Sequence, residues 1–415
     1  MIRYHWLPAS LLLAAIPSEA GELPGAEPGE VGLSASKLAE LKPGLRKLVE
    51  DGKIAGGVAL IARHGKVVFV DAFGERDRAS HAPMREDTIF AIASMTKPVT
   101  CVAAMTLVEQ GKLGLDDPVT KYLPELKELR VLGPAKDDTP ETLATVPLTR
   151  PIKIRELFSH TSGFAYGGIL SADARLGRAY ESAKVMDRRM KTIAEQVDRL
   201  AKVPLAHQPG ERWTYGLSHD VLGRVIEVAS GRSFDQYLQE TLFQPLDMRD
   251  TSFFVPAAKR DRMATIYTTG LFTGPLTPLP RSFGSETFFS GGGGLFSTAR
   301  DYARFAQMLL SGGELDGVRI LKAESLATMT SNQIGDLNAL ILYKYGLGFG
   351  LEMVDGPEGK KTRVGNYFWG GFFSTNFWVD PRKDVVAIIL TQVLPTNHGN
   401  PQRLLRQVID RAIEK

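Results

Sequence analysis

Segments typical of β-strands lie near both ends of this chain, and a long stretch with helical patterning separates them. Five runs rich in β-branched, aromatic or other apolar residues occupy residues 57–63, 66–73, 345–353, 367–379 and 385–392. His64-Gly65 joins the first two and is typical of a hairpin turn. A sheet that takes strands from both ends leaves the middle of the chain to form an inserted layer. We therefore expect an α+β fold, in which helices flank an antiparallel sheet built from N- and C-terminal segments, with a mainly helical inserted domain.

Apolar residues recur every three or four positions in most other segments, which predicts helices. The predicted helices span residues 34–51, 94–109, 152–159, 171–203, 217–245, 299–310 and 401–413. Residues 256–290 are rich in proline and predict a loop that lines or covers a site. We assign an α/β domain to residues 30–90 and 335–415 and a mainly helical domain to residues 91–334, with an active site between the two.

Composition narrows the functional classes. The chain has 415 residues and a formal net charge of +3, and so small an excess of positive charge does not indicate a nucleic-acid partner. Its one cysteine, Cys101, excludes an intrachain disulfide and falls within an apolar helical run, where a buried, unreactive thiol is expected. No apolar run reaches the roughly 18 residues needed to cross a membrane. The sequence does not indicate an oligomeric state.

Residues 1–20 have the layout of a secretory signal peptide. Arg3 precedes an apolar segment at residues 7–16, and Ser18-Glu19-Ala20 resembles a small-x-small cleavage site. No cysteine lies near the end of this segment, which excludes a lipid anchor of the bacterial lipoprotein type. We therefore expect an exported protein, periplasmic or secreted, without a stable membrane anchor. The alternative is a disordered start to a cytoplasmic protein.

Ser94 lies three residues before Lys97, at the start of an apolar run that continues to about Glu109. Positions i and i+3 share a face of a helix, so the hydroxyl and the amine can meet. A serine hydroxyl needs an adjacent base to act as a nucleophile, and a lysine serves as that base if burial or nearby cations lower its pKa. The spacing alone is a weak signal, because Ser34 and Lys37 repeat it at what we interpret as a helix cap.

Several other kinds of active site are excluded by scanning. The chain contains no Gly-x-Ser-x-Gly, which argues against the nucleophile turn of α/β-hydrolases. It also lacks His-Glu-x-x-His, Gly-x-x-x-x-Gly-Lys and Gly-x-Gly-x-x-Gly. Seven scattered histidines and one cysteine argue against a zinc site. Serine, lysine and tyrosine chemistry remains, without a metal or organic cofactor.

Four motifs occur in an order that resembles the serine β-lactamase and penicillin-binding-protein superfamily. They are Ser94-Met95-Thr96-Lys97, Leu157-Phe158-Ser159-His160-Thr161-Ser162-Gly163, Gln208-Pro209-Gly210-Glu211-Arg212-Trp213-Thr214-Tyr215 and Trp369-Gly370-Gly371. The resemblance runs from about residue 30 to the C-terminus and is greatest to the family VIII carboxylesterases, relatives of class C β-lactamases. It implies a β-lactamase-like fold and hydrolysis of small-molecule esters through an acyl-enzyme.

The resemblance also implies residue roles. Ser94 is expected to be the acylated nucleophile, Lys97 its base partner, and Tyr215 the residue that moves the proton on and off the nucleophile and the leaving group. The main-chain amides of Ser94 and Phe372 are expected to form an oxyanion hole, which stabilises the tetrahedral oxygen. Leu217 stands where the superfamily's Tyr-x-Asn motif has asparagine, a departure from the pattern.

Trp369-Gly370-Gly371 is expected to bind substrate, with glycines that let it approach the backbone of the strand. β-Lactamases and penicillin-binding proteins carry Lys-Thr-Gly or a cationic equivalent there, and that cation helps to bind the substrate carboxylate. Loss of the cation and gain of an indole favour short- to medium-chain acyl esters over anionic β-lactams. The nearby Lys361-Thr362-Arg363 lacks the glycine, and we interpret it as a solvated charge run.

Alternative functions stay open at this point. A class C-like β-lactamase or a D,D-peptidase would use the same acylation chemistry, and so would an enzyme that transfers the acyl group to an alcohol or amine. A non-catalytic binding member of the superfamily is a further alternative, which the joint presence of Ser94, Lys97 and Tyr215 argues against.

Two further sets of residues invite a functional interpretation. His160 is near several serines, but its neighbours indicate a hydrogen-bonded loop rather than a catalytic triad. Four phenylalanines either pack in the core or line an acyl pocket, and the sequence does not separate these hypotheses: Phe283, Phe288, Phe289 and Phe296.

Overall fold

The structure is a computed structural model that describes residues 22–138, 143–167, 173–187, 189–270, 274–355 and 363–414. The α-helices are α1 (Ala35–Leu38), α2 (Leu41–Glu50), α3 (Thr96–Glu109), α4 (Ile154–Phe158), α5 (Ala174–Ser182), α6 (Ile193–Leu200), α7 (Ser218–Ser230), α8 (Phe234–Leu238), α9 (Ala299–Leu310), α10 (Ala323–Met329) and α11 (Pro401–Ala412). The predicted signal peptide lies outside the described residues.

The strands come in two groups along the chain, with short pairs between them. They are β1 (Gly56–Arg63), β2 (Lys66–Asp77), β3 (Ala82–Pro83), β4 (Phe90–Ala91), β5 (Arg130–Leu132), β6 (Thr145–Pro147), β7 (Tyr267–Thr268), β8 (Thr277–Pro278), β9 (Phe296–Ser297), β10 (Glu314–Leu315), β11 (Val318–Arg319), β12 (Lys344–Tyr345), β13 (Gly350–Val354), β14 (Arg363–Gly371), β15 (Thr375–Asp380), β16 (Val385–Thr391) and β17 (Val393–Leu394).

One eight-stranded sheet joins the two ends of the chain. Its order is β12-β13-β14-β15-β16-β1-β2-β3, and every neighbouring pair is antiparallel. The join is the pairing of β1 with β16, in which Leu60 lies opposite Ile388. Most residues of these two strands are buried, because helices cover both faces of the sheet. The α+β fold predicted from the distribution of strand-like runs is confirmed, whereas the proposed domain boundaries stay a prediction.

Four predicted elements are divided in the structure. The predicted helix of residues 171–203 forms α5 and α6, and the predicted strand of residues 345–353 forms β12 and β13. Residues 367–379 form a hairpin rather than one strand, since β14 ends at Gly371 and β15 begins at Thr375. Ser374 in the turn has a φ of +61°, a left-handed conformation that reverses the chain. The predicted helix of residues 34–51 is two helices, α1 and α2, which are separated at residues 39–40.

Helix α3 lies in the centre of the molecule. Every residue from Thr96 to Leu107 is buried. Helix α3 packs against α7 and against the turn that precedes α3 in the chain. Such complete burial is typical of a helix that is apolar on all sides. Cys101 lies within this helix as a buried free thiol, and burial raises its pKa well above the usual value. The predicted unreactive thiol agrees with this environment. The start of α3 is thereby fixed, and the candidate nucleophile lies immediately before it.

Candidate active site

A short turn between β4 and α3 carries Ser94. Residues Ala93–Met95 form one 3₁₀ turn, in which Ala93 has a φ of +44°. A residue with a side chain adopts this left-handed conformation only when its surroundings impose it. The N–H of Ile92 donates to the carbonyl of Leu295 at 3.0 Å, which fixes the start of the turn. Ser94 is thus half-buried at a rigid position.

Lys97 lies in the first turn of α3 and is fully buried. Its Nζ atom donates to Ser94 Oγ at 3.2 Å, to the Tyr166 hydroxyl at 3.1 Å and to the Gly292 carbonyl at 2.5 Å. An ammonium has three N–H donors, and each of them has an acceptor here. The serine and lysine that were paired by spacing are therefore in hydrogen-bond contact.

The surroundings hold Lys97 in its charged form. Burial alone would lower the pKa of this amine, but the Tyr166 and Tyr215 phenols and the Asp220 carboxylate outweigh burial and raise its pKa above the usual value. Lys97 is therefore an ammonium at neutral pH. Lys97 is thus a cation beside the serine in the resting site, and its expected role as the base partner of Ser94 stays a prediction.

Asp220 was not identified by any motif, but it fixes the loop whose Gly292 carbonyl contacts Lys97. Its Oδ1 atom accepts from Ser290 Oγ at 2.5 Å and from the N–H of Gly292 at 3.2 Å. A Cβ on Gly292 would lie 2.4 Å from the Asp220 carboxylate, so glycine is required for this contact. Burial raises the pKa of Asp220, and the nearby Lys97 ammonium opposes that shift. The two groups therefore influence each other electrostatically inside the protein.

Tyr215 lies on the segment before α7, close to Lys97. The Lys97 Nζ atom is 4.7 Å from the centroid of the Tyr215 ring. The adjacent Thr214 N–H donates to the His160 carbonyl at 2.8 Å. On the other side, a Cβ on Gly216 would lie 2.3 Å from a main-chain carbonyl of the neighbouring loop. These contacts bring Tyr215, predicted from the second motif, next to the serine and lysine.

Tyr166 is a site residue that the motifs did not identify. Its hydroxyl accepts from Lys97, and its ring lies edge-on to Tyr215 with centroids 5.5 Å apart. Burial raises its pKa, although Lys97 opposes that shift, so Tyr166 is a neutral phenol at physiological pH. The only sequence signal is its position three residues after the Ser159–Gly163 loop, and no spacing rule links that position to Ser94.

His160 contacts Tyr215 through its ring rather than through a hydrogen bond. The ring centroids are 4.9 Å apart, and the His219 ring lies 4.3 Å away on another side. Neither ring nitrogen of His160 has a hydrogen-bond partner within the described part of the chain. Burial lowers the pKa of His160 well below its usual value, and the ring is therefore neutral. These contacts agree with a structural role and show no serine–histidine pair.

The end of β14 packs against the turn that carries Ser94. A Cβ on Gly371 would lie 2.2 Å from the Ile92 carbonyl oxygen, so close backbone packing requires glycine here, and its expected role in substrate binding stays a prediction. Phe372 follows directly and is half-exposed. Among the described residues, neither its N–H nor that of Ser94 has a hydrogen-bond acceptor. Two free amides beside one cavity are what an oxyanion hole requires.

Two cavities meet at Ser94, Tyr215 and Phe372. The first, of about 550 Å³, also contains these residues predicted to bind substrate: Trp369, Gly370 and Gly371. The second, of about 500 Å³, is mainly apolar and is lined by Met186, Met190, Leu217 and Phe288 among others. A carbonyl carbon bonded to Ser94 could therefore direct one substituent into each cavity.

The described residues contain no cluster of three or more His, Cys, Asp or Glu side chains arranged to hold a metal ion. Within the same residues, no helix is both long enough and apolar enough to cross a membrane.

Comparison with known proteins identifies the group to which this site belongs. Residues 44–409 match the β-lactamase family. The chain belongs to this family. The resemblance inferred from the four motifs is thereby confirmed.

Characterised members of the β-lactamase family with similar sequences include an esterase. Esterase EstB from Burkholderia gladioli is 31% identical over 395 residues, which cover 89% of this chain and 93% of that protein. An uncharacterized protein from Mycobacterium tuberculosis is 36% identical over 371 residues, covering 85% and 89% respectively. The solved structure of EstCE1, described as a hydrolase with promiscuous acyltransferase activity, has a TM-score of 0.73 and 28% identity, covering 90% of this chain and 98% of that one.

In this member of the β-lactamase family, the four phenylalanines divide between core and cavity. Phe288 lines the apolar cavity beside Ser94. Phe289 is buried in the main core, and Phe296 is buried in a small separate cluster against which the half-buried Phe283 packs. Three of the four therefore pack in hydrophobic clusters, and one lines a cavity. Of the predicted charge run at residues 361–363, only Arg363 is described, as an exposed residue at the start of β14.

Proposed function

We propose that this protein is a serine carboxylesterase that hydrolyses short- to medium-chain acyl esters through an acyl-enzyme on Ser94. The observation that carries the proposal is the contact of Ser94 Oγ with a buried Lys97 ammonium, next to two tyrosines and two free amides. A serine needs an activating partner and a preorganised oxyanion hole to attack an ester, and these residues provide both. The identity with an esterase along most of the chain supports the same activity.

In the acylation step, Tyr215 reacts as a phenolate paired with the Lys97 ammonium, and Ser94 Oγ forms a bond to the ester carbonyl carbon as its proton passes to the Tyr215 oxygen. The resulting oxyanion accepts hydrogen bonds from the amides of Ser94 and Phe372. The bond between the carbonyl carbon and the alcohol oxygen then breaks, and the departing oxygen takes the proton from Tyr215. The Lys97 ammonium stabilises the negative charge that develops on these oxygens during the transfer, because it is held next to them in a site of low polarity.

In the deacylation step, water takes the place of the alcohol. It adds to the acyl carbon as its proton passes to Tyr215, and the carbon–Oγ bond breaks as Ser94 regains a proton. An alcohol can enter instead of water, which gives a new ester. Acyl transfer is therefore a second candidate activity, and the description of EstCE1 as a hydrolase with acyltransferase activity favours it.

Ester preference follows from the lining of the cavities. Trp369 is almost fully buried, with its ring centroid 5.5 Å from that of Tyr215, at the position where the superfamily's Lys-Thr-Gly places a cation. An indole offers apolar contact and no charge for a β-lactam carboxylate. We therefore expect β-lactam hydrolysis to be weak.

A substrate panel tests this function. p-Nitrophenyl acetate, butyrate, octanoate and the cephalosporin nitrocefin are compared by kcat/KM, with and without methanol as an acceptor. We expect the highest value on a short- or medium-chain ester, at least 100-fold above nitrocefin, and methyl ester formation when methanol is present. A kcat/KM on nitrocefin above that on every ester would instead identify a β-lactamase. No turnover of any of them, together with no labelling by a fluorophosphonate, would favour a binding protein.

A further inference from the structure

Three consecutive apolar side chains protrude into solvent beside the active site. Leu340, Ile341 and Leu342 are 49%, 85% and 81% exposed, and we call these residues the apolar tip. Leu340 and Ile341 have φ values of +46° and +75°. Positive φ is a marked outlier for a β-branched residue such as Ile341, so this backbone is strained. Exposure of these apolar side chains to water does not stabilise the fold.

The apolar tip has a defined conformation. It closes a tight hairpin, in which the N–H of Ala339 donates to the Tyr343 carbonyl at 2.8 Å and the N–H of Tyr343 donates back at 3.0 Å. Ala339 is fully buried, and the Tyr343 ring packs edge-on against Phe368 with centroids 4.8 Å apart. Both ends of the hairpin are therefore anchored, and the protrusion is a fixed feature of the surface.

The position of the tip relates it to the catalytic cavities. Leu340 and Tyr343 line the cavity that contains Ser94 and Trp369. Two other exposed apolar side chains, Met186 and Phe372, line the second cavity at Ser94. Large apolar side chains that are exposed elsewhere in the described residues are Val146, Val228 and Val318. Exposed apolar surface is thus concentrated around the opening through which a substrate reaches Ser94.

A second copy of the chain is a poor candidate to cover the tip. A stable dimer buries roughly 800 Å² on each partner, and exposed apolar patches of a few hundred Å² mark other kinds of contact. Even a large aromatic side chain buries only about 150–250 Å², so the three smaller side chains of the tip fall short of that area. A partner seated on Leu340 would also cover the entrance to the cavity.

We propose that the apolar tip enters the apolar phase of aggregated or bilayer-borne esters and brings the cavity opening to that surface. Contact with such a phase removes Ile341 and Leu342 from water, and a substrate leaving it would meet Leu340 and then Ser94. The expected effect on the hydrolysis rate rests on the proposed esterase function, whereas docking of the tip to a lipid surface does not depend on catalysis. The substrate class it adds is an ester of low solubility, such as a triacylglycerol.

The test uses an Ile341→Ser/Leu342→Ser double variant, with Val318→Ser as the matched control. Val318 is 38% exposed on the β10–β11 hairpin and lines neither cavity. Tributyrin hydrolysis is measured below and above its solubility limit, dissolved p-nitrophenyl acetate hydrolysis serves as the reference, and sedimentation with phosphatidylcholine vesicles reports docking. Equal far-ultraviolet circular dichroism spectra and equal melting temperatures establish that all three proteins are folded.

We expect the wild-type rate to rise steeply above the solubility limit of tributyrin, and wild type to sediment with vesicles. The double variant should lose at least tenfold in vesicle partitioning and in the rate on emulsified tributyrin, with less than a twofold change on dissolved ester, while Val318→Ser behaves as wild type. Equal behaviour of wild type and the double variant would overturn the proposal, and so would a wild-type dimer that the double variant dissociates. If no protein hydrolyses any ester, the esterase function fails, and vesicle sedimentation alone still decides whether the tip docks.

Discussion

The Nζ atom of Lys97 lies 2.5 Å from the main-chain carbonyl oxygen of Gly292. This contact joins the start of α3 to the glycine-rich loop that precedes β9, and Asp220 holds the same loop by accepting from the Gly292 N–H. A lysine whose ammonium donates to a main-chain carbonyl and faces a buried carboxylate stays charged. We therefore propose that the lysine supplies charge in this site and that a tyrosine carries the proton.

Asp220→Asn tests the charge on Lys97. Because the Asp220 carboxylate raises the pKa of Lys97, removing its charge should lower that pKa, and the ammonium should be lost at a lower pH. We expect kcat/KM on p-nitrophenyl butyrate to fall about tenfold, with the alkaline limb of its pH profile displaced to lower pH. Asp198→Asn, which changes an exposed aspartate on α6 that lines neither cavity at Ser94, is the control and should leave the profile unchanged. An alkaline limb that is the same in Asp220→Asn and wild type would show that Asp220 does not set the charge on Lys97.

Tyr215→Phe and Tyr166→Phe separate the two phenols. General acid–base groups contribute roughly 10²–10⁴-fold, and we expect a loss in that range for Tyr215→Phe. Tyr166→Phe should cost about tenfold, because Lys97 keeps its contacts with Ser94 and Gly292. The double variant should lose less than the product of the two losses, since both phenols act through one ammonium. A larger loss in Tyr166→Phe than in Tyr215→Phe, measured as kcat/KM, would reverse the two roles.

Gly371→Ala and Gly370→Ala test the packing of β14 against the nucleophile turn. A Cβ on Gly371 would lie 2.2 Å from the Ile92 carbonyl, a main-chain atom that cannot move without displacing the turn. A Cβ on Gly370 would instead lie 2.9 Å from the Asn376 side-chain oxygen, which can rotate away. We expect Gly371→Ala to lose at least 100-fold in kcat and about 1–3 kcal/mol in the free energy of unfolding, and Gly370→Ala to lose less than tenfold. Equal losses, measured by steady-state kinetics and urea unfolding, would contradict this packing argument.

Asp301, in the first turn of α9, should make the free energy of unfolding depend on pH. Burial raises its pKa to about 6, although hydrogen bonds from Thr251 and the N–H of Asp250 oppose the shift. The native state therefore binds this proton more tightly than the unfolded state, whose carboxyl titrates near pH 4. The free energy of unfolding should fall by up to about 3 kcal/mol as pH rises from about 4 to about 6, and this term should be constant above that.

Urea unfolding of wild type and Asp301→Asn across pH 4–8 isolates this contribution. The difference in stability between the two proteins should change between about pH 4 and pH 6 and be constant from pH 7 to pH 8. Asp198→Asn, which changes an exposed aspartate on α6, gives the background, because it leaves the buried carboxyl in place. A difference that does not vary with pH would show that Asp301 titrates alike in the folded and unfolded states.

Patterns that are local in sequence predicted local structure well. The hairpin across His64-Gly65 forms as β1 and β2, and the helix of residues 299–310 has the predicted bounds as α9, since each depends on residues that are neighbours in the chain. The contact between Ser94 and Lys97 could be predicted for the same reason, because the two residues are neighbours in the chain. The break between α1 and α2 and the turn after Gly371 were missed, because tertiary packing rather than apolar periodicity sets these boundaries.

The partners that tune the site come from distant parts of the sequence. Tyr166 is 69 positions and Gly292 is 195 positions from Lys97, and Asp220, which accepts from the Gly292 N–H, is also remote in the sequence. No spacing rule relates such residues, so their contacts follow from the fold alone. The charge state of Lys97 could not be predicted from the sequence for the same reason, because it depends on these partners, which only the fold brings together.

The acyl-enzyme on Ser94 is the central claim, and intact-protein mass spectrometry tests it most directly. Wild type, Ser94→Ala and Lys97→Ala are mixed with p-nitrophenyl butyrate and quenched in acid within seconds. The masses of the intact proteins and of their peptic peptides are then measured, with release of p-nitrophenol followed in parallel. The account predicts a transient butyryl adduct on the wild-type peptide that contains Ser94, no adduct in folded Ser94→Ala, and a greatly slowed burst in Lys97→Ala. Unchanged turnover in folded Ser94→Ala, or an adduct on another residue, would contradict it.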